Sequence, residues 1–395
     1  MHPHAEPPRQ APVLRSSESA HQERKVTWTE LFFDLVYVVA IARLAHELKQ
    51  TPTLAGAAAF ACLFVPVWWS WIGVTVYSDR FDSDGTADRL LLALQTLAVA
   101  ALAVQLHDGT GVNAPGFALA YCVLRLLLVL QYARAWRHIP AARPLAARYM
   151  MGFSLAVLPW LASVFVPLPL RIPLWAAGIV IDLATPLTAR AQQASMPLSH
   201  SHLPERFGLF TIIVLGESLV AVVSGVAGQH WAAASVLTAV LSFLFAFGMW
   251  WLYFDNVSHS TVRRGRLSAH AWVYFHLLLT MGLTASGAGA EGVIASPPDQ
   301  AVTGAARWLF CTATASCFVS LGVILLTSAP VPRESPKQDP RPELLLGAAG
   351  VMLLVALLGE RLPAFLLTGS AVALVVLPFF VARLQARVNA GHAAN

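Results

Sequence analysis

Ionisable and amide side chains interrupt several of the longest apolar segments of the sequence. They are Glu30, Asp34, Gln95, Arg125, Asp182, Glu217 and His276. A charge near the centre of a bilayer costs about 2.5–3.5 kcal/mol even on a lenient insertion scale, so such residues usually pair inside a bundle or serve an ion pathway. At about 1.5 Å of rise per residue, all of them except Glu30 lie roughly 10–17 Å from the inner ends of their segments. This shared depth predicts one polar layer inside a helical bundle.

The charges of this layer do not balance. Asp34, Asp182 and Glu217 supply carboxylates, whereas Arg125 is the fixed cation. Two carboxylates then need a proton, His276 or a bound ion, which is the surplus that proton- or cation-coupled pathways use. We therefore predict that the three acids bind protons or cations, and that Arg125 and His276 tune their protonation.

Each member of the layer also has a purely structural interpretation. Arg125 would neutralise Asp182 or Glu217 in a buried ion pair. The two acids of the first segment, four residues apart on one helical face, would anchor the inner end of their helix. His276 would be an interior histidine whose ring nitrogens are hydrogen-bonded.

Three further candidates stand at the predicted outer ends of apolar segments. Arg43 and Glu47 are four residues apart and predict a surface-level ion pair, with His46 between them. Glu291 follows a glycine-rich stretch and fits either an outer vestibule or a solvated helix end. We keep His46, Glu47 and Glu291 as outer-end candidates.

Motifs of well-known chemistries are absent from the sequence. It has no Gly-x-x-x-x-Gly-Lys-[Ser/Thr] phosphate loop, no His-Glu-x-x-His and no Gly-x-Ser-x-Gly. The acidic segment 79–84 and the pair His200 and His202 lack further ligands, so both are interpreted as loops. The cysteines lie within apolar runs, without the spacing of a metal site or a disulfide framework. We predict no metal and no cofactor, and no motif favours an enzyme.

The elements that must position these residues are membrane-spanning helices. Hydrophobic residues make up 57% of the chain and charged residues 12%, about half the usual charged fraction. The apolar runs are roughly 17–25 residues long without period-2 alternation, which predicts an all-α, polytopic transmembrane helical bundle of about twelve spans. The predicted spans are 28–48, 54–77, 88–106, 114–133, 150–169, 172–189, 207–227, 232–254, 270–290, 303–327, 344–358 and 362–382. The eleventh is short enough to be re-entrant.

The distribution of basic residues predicts the orientation of the spans. With the N-terminus inside, twenty Lys and Arg residues fall on the inner side and three on the outer side. This bias predicts that both termini are cytoplasmic in a bacterial plasma membrane. Because the basic residues occupy short loops, the net charge of +5 does not indicate nucleic-acid binding. Residues 1–23 are polar and rich in Pro, His and Ser, which predicts a disordered cytoplasmic tail.

A weak internal repeat predicts two parallel six-helix halves, residues 24–200 and 201–395. Asp34 precedes Trp68 by 34 residues, and Glu217 precedes Trp251 by 34 residues. Six spans per half would relate the halves by rotation about the membrane normal. The tryptophan clusters at 68–71 and 250–253 fit interfacial belts, or alternatively the walls of an apolar cavity.

Two sequence blocks resemble the bacterial low-temperature-requirement A family. Residues 25–47, Lys-Val-Thr-Trp-Thr-Glu-Leu-Phe-Phe-Asp and onward, look like the opening motif of that family, and residues 205–218 look like its second block. The similarity extends over residues 23–292. It implies a bacterial membrane protein of a family named for a requirement in growth at low temperature, but it does not imply a reaction. The recurrent polar positions of the family map onto Glu30, Asp34, His46, Glu47, Glu205, Arg206, Glu217 and His276.

Three functions are compatible with these features. The first is a proton- or cation-coupled transporter or channel-like protein with a buried polar site. The second is a membrane-embedded enzyme acting on a lipid or isoprenoid, with Asp34, Glu30 or His276 as acid–base groups. The third is a structural or stress-response membrane protein. The expected partners are membrane lipids and a small solute, ion or lipid substrate, and the sequence does not predict the oligomeric state.

Overall fold

The computed structural model describes residues 12–14, 26–82, 85–196, 198–199, 202–229, 232–257, 260–263, 267–297, 300–330 and 341–393. Within these ranges the protein is almost entirely helical, which confirms the all-α prediction. Two very short antiparallel pairs join β1 (Val13–Leu14) to β2 (Phe81–Asp82), and β3 (Ser260–Val262) to β4 (Ser328–Pro330). Apart from residues 12–14, the predicted N-terminal tail lies outside the described residues.

The long helices agree with about twelve spans. Among the described residues, ten helices are long and apolar enough to cross a membrane. Two more complete the predicted set. Helix α1 (Trp28–Gln50) is long enough but carries five charged residues, and α12 (Pro342–Leu358) has 17 residues. The chain is a multi-pass membrane protein.

The chain forms two compact units. Unit 1 contains the described residues of Met1–Leu44 together with Ala61–Arg206. It holds most of α1, most of α2 (Leu54–Arg80), the first residues of α8 (His202–Ala227) and five complete helices. The complete helices are α3 (Thr86–Gln105), α4 (Ala114–His138), α5 (Arg143–Ser163), α6 (Leu168–Thr188) and the short α7 (Arg190–Ala194).

Unit 2 contains Ala45–Phe60 and the described residues of Phe207–Asn395. The predicted boundary between residues 200 and 201, and the parallel repeat, stay predictions. Besides α12, the helices of unit 2 are the remainder of α8 (His202–Ala227), α9 (Ala233–Asn256), α10 (Ser268–Ile294), α11 (Gly304–Thr327) and α13 (Ala364–Ala393).

Several helix ends differ from the predicted spans because the helices include prolines and polar residues that lie outside the apolar runs. Helix α5 begins at Arg143, seven residues before the predicted span, and ends at Ser163 instead of 169. Helix α6 then starts at Leu168, with a proline in its first turn, where a missing N–H costs nothing. Helix α8 starts at His202, five residues before the predicted span. Helix α2 continues to Arg80 instead of 77.

Aromatic side chains hold the helices of unit 1 together. Tyr132 lies at the centre of a buried cluster, with ring centres 5.2 Å from Tyr77 and 5.0 Å from Tyr149, both edge to face. Phe153 stacks on Tyr149 at 5.4 Å. Edge-to-face pairs of this kind contribute about 0.5–1.5 kcal/mol each beyond their buried area. They fix α2, α4 and α5 against one another.

Small residues bring the helices of unit 2 into close contact. A Cβ atom added to Gly287 would approach the Ser218 Cα to 2.8 Å, and one added to Gly289 would approach the Phe310 backbone to 2.8 Å. Only glycine permits these approaches, which are typical of helix packing in membranes. They set α10 tightly between α8 and α11.

Candidate functional site

Five buried ionisable residues meet in unit 1 where α1, α2 and α8 come together. We call Glu30, Asp34, Asp79, His202 and Arg206 the α8 cluster. None of these side chains is more than 6% exposed. Glu30 and Asp34 lie four residues apart on α1, and His202 and Arg206 lie four residues apart on α8, so each helix presents its pair on one face.

Arg206 joins the two acids of α1. Its Nη2 donates to Asp34 Oδ1 at 2.6 Å, and its Nη1 lies 3.2 Å from Glu30 Oε1. Asp34 Oδ1 also accepts a hydrogen bond from the indole Nε1 of Trp71 at 2.8 Å. Asp34 Oδ2 and Arg206 Nε are buried, and neither has a hydrogen-bond partner among the residues that the structure describes. Each member of the ion pair therefore has one atom that can still form a hydrogen bond.

His202 lies between two carboxylates. Its Nδ1 is 3.0 Å from Asp79 Oδ1, and its Nε2 is 3.5 Å from Glu30 Oε1. Asp79 Oδ2 also accepts from the backbone N–H of Ser199 at 2.7 Å, which anchors this carboxylate. Glu30 Oε2 accepts from the backbone N–H of Thr27 at 2.9 Å at the start of α1. An acid therefore lies near each ring nitrogen, at hydrogen-bonding distance from Nδ1 and beyond it from Nε2, which is buried without a hydrogen-bond partner among the described residues.

The α8 cluster brings three carboxylates together with two basic groups. Glu30 and Asp34 contact the guanidinium of Arg206, and Asp79 contacts His202, which carries a positive charge only when protonated. A buried carboxylate is stabilised by a cation, a hydrogen bond or a proton, and the contacts of the cluster supply the first two. Among the described residues, no group of three or more His, Cys, Asp or Glu side chains has the geometry to hold a metal ion.

Two members of the cluster were assigned to loops from the sequence, and that assignment was wrong. Asp79 lies inside α2, because this helix continues to Arg80, and it is 2% exposed. His202 is the first residue of α8 and is fully buried. The signal was the spacing of His202 and Arg206, which repeats the four-residue spacing of the acids on α1.

The tryptophans beside the cluster are not an interfacial belt. Trp68, Trp69 and Trp71 are buried within unit 1, and Trp71 donates to a carboxylate of the cluster. Trp250 and Trp251 of unit 2 are 40% and 46% exposed, which fits a position on the outer surface of the helices.

Arg125 forms a separate buried ion pair with Asp182. Its Nε lies 3.2 Å from Asp182 Oδ2 and 2.8 Å from the hydroxyl oxygen of Tyr121. Tyr121 donates its hydroxyl proton to the same carboxylate at 2.5 Å. One carboxylate faces one guanidinium, so this pair is neutral and ties α4 to α6. Of the two acids considered for Arg125, the structure brings it to Asp182.

Gln95 pairs with another glutamine instead of with a charge. Its Nε2 donates to Gln131 Oε1 at 3.0 Å, and Gln131 Nε2 returns a longer bond of 3.4 Å. This exchange joins α3 to α4 and satisfies both buried amides.

His276 in unit 2 is a hydrogen-bonded interior histidine. Its Nδ1 lies 2.7 Å from the carbonyl oxygen of Trp272, which only accepts, so Nδ1 carries the hydrogen. Nε2 then accepts from the hydroxyl of Tyr253 at 3.0 Å. The ring packs against Phe207 and Trp272, with ring centres 4.7 and 4.0 Å away. These neighbours hold the imidazole neutral.

The remaining candidate acids, Glu47, Glu217 and Glu291, belong to unit 2. Glu291 forms an ion pair with Lys49, and Glu217 is half-buried in the middle of α8. Glu291 is therefore neither a simple solvated end nor an unpaired acid. His46 is exposed and Glu47 is partly buried. The prediction of one layer joining Asp34, Gln95, Arg125 and Asp182 to Glu217 and His276 stays a prediction.

A sequence model of the bacterial low temperature requirement A protein family, LtrA, matches residues 25–380 of this chain. The chain belongs to the LtrA family. The match includes every member of the α8 cluster and continues well beyond the residues 23–292 whose motifs resemble the family. This LtrA protein is also similar to an uncharacterized protein of Rhizobium meliloti (strain 1021), with 26% identity over 291 residues. That alignment covers 70% of this chain and 71% of the relative.

Proposed function

We propose that this LtrA protein is a proton-coupled transporter and that the α8 cluster carries the coupling proton. The observation behind the proposal is the meeting of three buried carboxylates, one imidazole and one guanidinium where α1, α2 and α8 come together. Intramembrane groups of this kind serve proton relays in pumps and transporters. Histidine suits the task because its two ring nitrogens can bind a proton on one side and release one on the other.

The contacts within the cluster suggest a route for the proton from Asp79 through the imidazole of His202 to Glu30. His202 Nδ1 lies at hydrogen-bonding distance from Asp79, 3.0 Å, whereas Nε2 lies 3.5 Å from Glu30 and forms no hydrogen bond within the described residues, so a small shift of the ring would complete the route. An imidazole accepts a proton at one ring nitrogen and releases one from the other, so it links two carboxylates without moving far. Arg206 then couples Glu30 to Asp34 by electrostatics, because it contacts both.

The same contacts connect protonation to helix movement. The cluster joins three helices through ion pairs, so adding a proton to one carboxylate weakens the attraction that holds α1 to α8. A change in the balance of such pairs is a common means of switching between packed arrangements. We infer that loading the cluster favours one arrangement of these helices and that unloading it favours another.

The proposal assigns different roles to the candidate acids outside the α8 cluster. Asp182 is neutralised by Arg125 and is assigned a structural role. Glu217 is only half-buried and is retained as a second titratable acid in the middle of α8. From the charge bias we infer that the α8 cluster lies toward the cytoplasmic side of the plasma membrane, with both termini inside. If cells without the protein cannot transport its solute, this would account for the growth requirement at low temperature from which the family takes its name.

The test is proton movement in liposomes that contain the purified protein. The vesicles enclose a pH-sensitive dye, a potassium diffusion potential is applied, and Na⁺, K⁺, amino acids, sugars and osmolytes are added in turn. We expect dye acidification that depends on one of these solutes. His202→Gln is expected to lower its rate by about tenfold or more, because the relay loses its only imidazole.

The matched control is His107→Gln, which removes an exposed histidine of the same unit and should leave the rate unchanged. Equal rates in folded His202→Gln and wild-type protein would contradict the proposal. So would the absence of dye acidification with wild-type protein for every solute and gradient tried.

A further inference from the structure

The junction of α4 and α5 contains an open apolar groove. The groove has a volume of about 450 Å³ and is lined by Trp136, Ala147, Met150, Met151 and Ser154. Its α5 residues share one helical face, because their spacing follows the helical period. At about 1.5 Å per residue, this face extends roughly 16 Å from the first residue of α5 to Ser154, about the depth of one membrane leaflet.

Basic side chains surround the end of the groove where α5 begins. Arg137 and His138 end α4 and are exposed, and Arg143 begins α5 and is also exposed. The guanidinium of Arg143 lies 5.5 Å from the centre of the Trp136 ring, and its Nε donates to the Trp136 carbonyl oxygen at 3.2 Å. Two contacts therefore hold this cation at the mouth of the groove.

The junction of α4 and α5 is rich in basic residues and poor in acidic ones. The sequence has no Asp or Glu over residues 109–181. In the part of the chain that the structure describes, no carboxylate forms an ion pair with Arg137, Arg143 or Arg148. The first turn of α5 adds the positive end of its helix dipole. An anion is the complementary ligand.

We propose that this junction binds an anionic phospholipid, with the headgroup phosphate at Arg137 and Arg143 and one acyl chain in the groove. Guanidinium groups suit phosphate because they donate several hydrogen bonds in one plane. Basic pockets beside transmembrane helices on the cytoplasmic side recognise anionic headgroups. A free phosphate would use the arginines but would leave the apolar groove empty, so the combination favours a lipid.

The test is native mass spectrometry of the detergent-purified protein with defined lipids. Phosphatidylglycerol and phosphatidylcholine with the same dioleoyl chains are added separately, and the bound fraction is measured over a concentration series. We expect phosphatidylglycerol to bind about tenfold or more tightly than phosphatidylcholine, because each basic residue near an anionic headgroup contributes about a fivefold gain.

Charge variants test the headgroup half of the site. Arg137→Gln and Arg143→Gln should each weaken phosphatidylglycerol binding about fivefold, and the double variant about 25-fold. Arg190→Gln is the matched control, since Arg190 is an exposed arginine of α7 in the same unit and lies outside the groove. Equal effects of the control and the groove variants would overturn the proposal, as would equal binding of the two lipids by wild-type protein.

A steric variant tests the acyl-chain half. Ser154→Phe should fill the deep end of the groove and weaken phosphatidylglycerol binding without changing charge. Because Ser154 is exposed, the variant is expected to fold, and its melting temperature checks this. An unchanged affinity would exclude the groove as the chain site. Displacement of the lipid by an equal concentration of sn-glycerol 3-phosphate would show that the junction recognises only the phosphate group. That result would also overturn the lipid proposal.

Discussion

Arg206 of α8 donates to Asp34 of α1 across 2.6 Å, although the two residues are 172 positions apart in the chain. Both side chains are nearly inaccessible, at 1% each. The same guanidinium contacts Glu30, one turn earlier on α1. One cation thus holds two acids of another helix, and the first predictions concern this contact.

Replacement of Arg206 by Ala should destabilise the protein by about 3–5 kcal/mol, because it leaves buried carboxylates without their cation. The measurement is reversible denaturant unfolding in detergent micelles. Arg190→Ala, which removes an exposed arginine of the same unit, is the control and should change the free energy of unfolding by less than about 0.5 kcal/mol. A loss for Arg206→Ala as small as the control value would mean that the acids find other partners.

Asp34→Asn should abolish solute-dependent proton movement in liposomes while leaving folded protein in the membrane. The substitution keeps the shape of the side chain and its bond from Trp71, but it removes the titratable group. Glu30 still balances Arg206, so the fold should persist. Size-exclusion profiles establish folding and dye acidification reports activity; full activity in the variant would remove Asp34 from the relay.

Arg125→Ala should reduce the amount of folded protein recovered from membranes. Asp182 would then be buried with only the hydroxyl of Tyr121 beside it, at a cost of about 3–5 kcal/mol. The double substitution Arg125→Met with Asp182→Leu should recover much of the loss, because two apolar side chains replace a neutral pair. If the double variant does not recover the amount of folded protein and also loses proton coupling, the pair has a functional role.

Tyr253→Phe should cost about 1–3 kcal/mol of stability and leave transport unchanged. The variant takes the hydrogen-bond donor away from His276 Nε2, which is then buried without a partner. Unfolding midpoints and dye acidification measure the two effects together. A large loss of transport at unchanged stability would move His276 from the structural residues to the functional ones.

A reporter fused after Asn395 should be cytoplasmic, as should one inserted in the junction of residues 139–142 between α4 and α5. The expectation follows from the excess of basic residues on one side of the spans. Paired alkaline phosphatase and green fluorescent protein fusions give opposite signals on the two sides. A periplasmic C-terminus would mean that α12, the shortest of the predicted spans, does not cross.

The sequence by itself determined the class of the fold, the number of long helices and most of the buried charges. Hydropathy is a local property, since each span must cover the hydrocarbon with its own residues. For this reason Asp34, Arg125 and Asp182 stand out without any knowledge of their neighbours. The family motifs around Glu30 and Arg206 are likewise visible in the linear chain.

Only the tertiary structure decided which charges meet. Arg125 pairs with Asp182 because α4 and α6 carry Tyr121 and the two charges to one point, and hydropathy contains no information on helix neighbours. Asp79 and His202 were hidden by helix ends, which depend on packing more than on local composition. Their burial follows from the contact of α1, α2 and α8, and that contact turns two apparent loop residues into the centre of the candidate site.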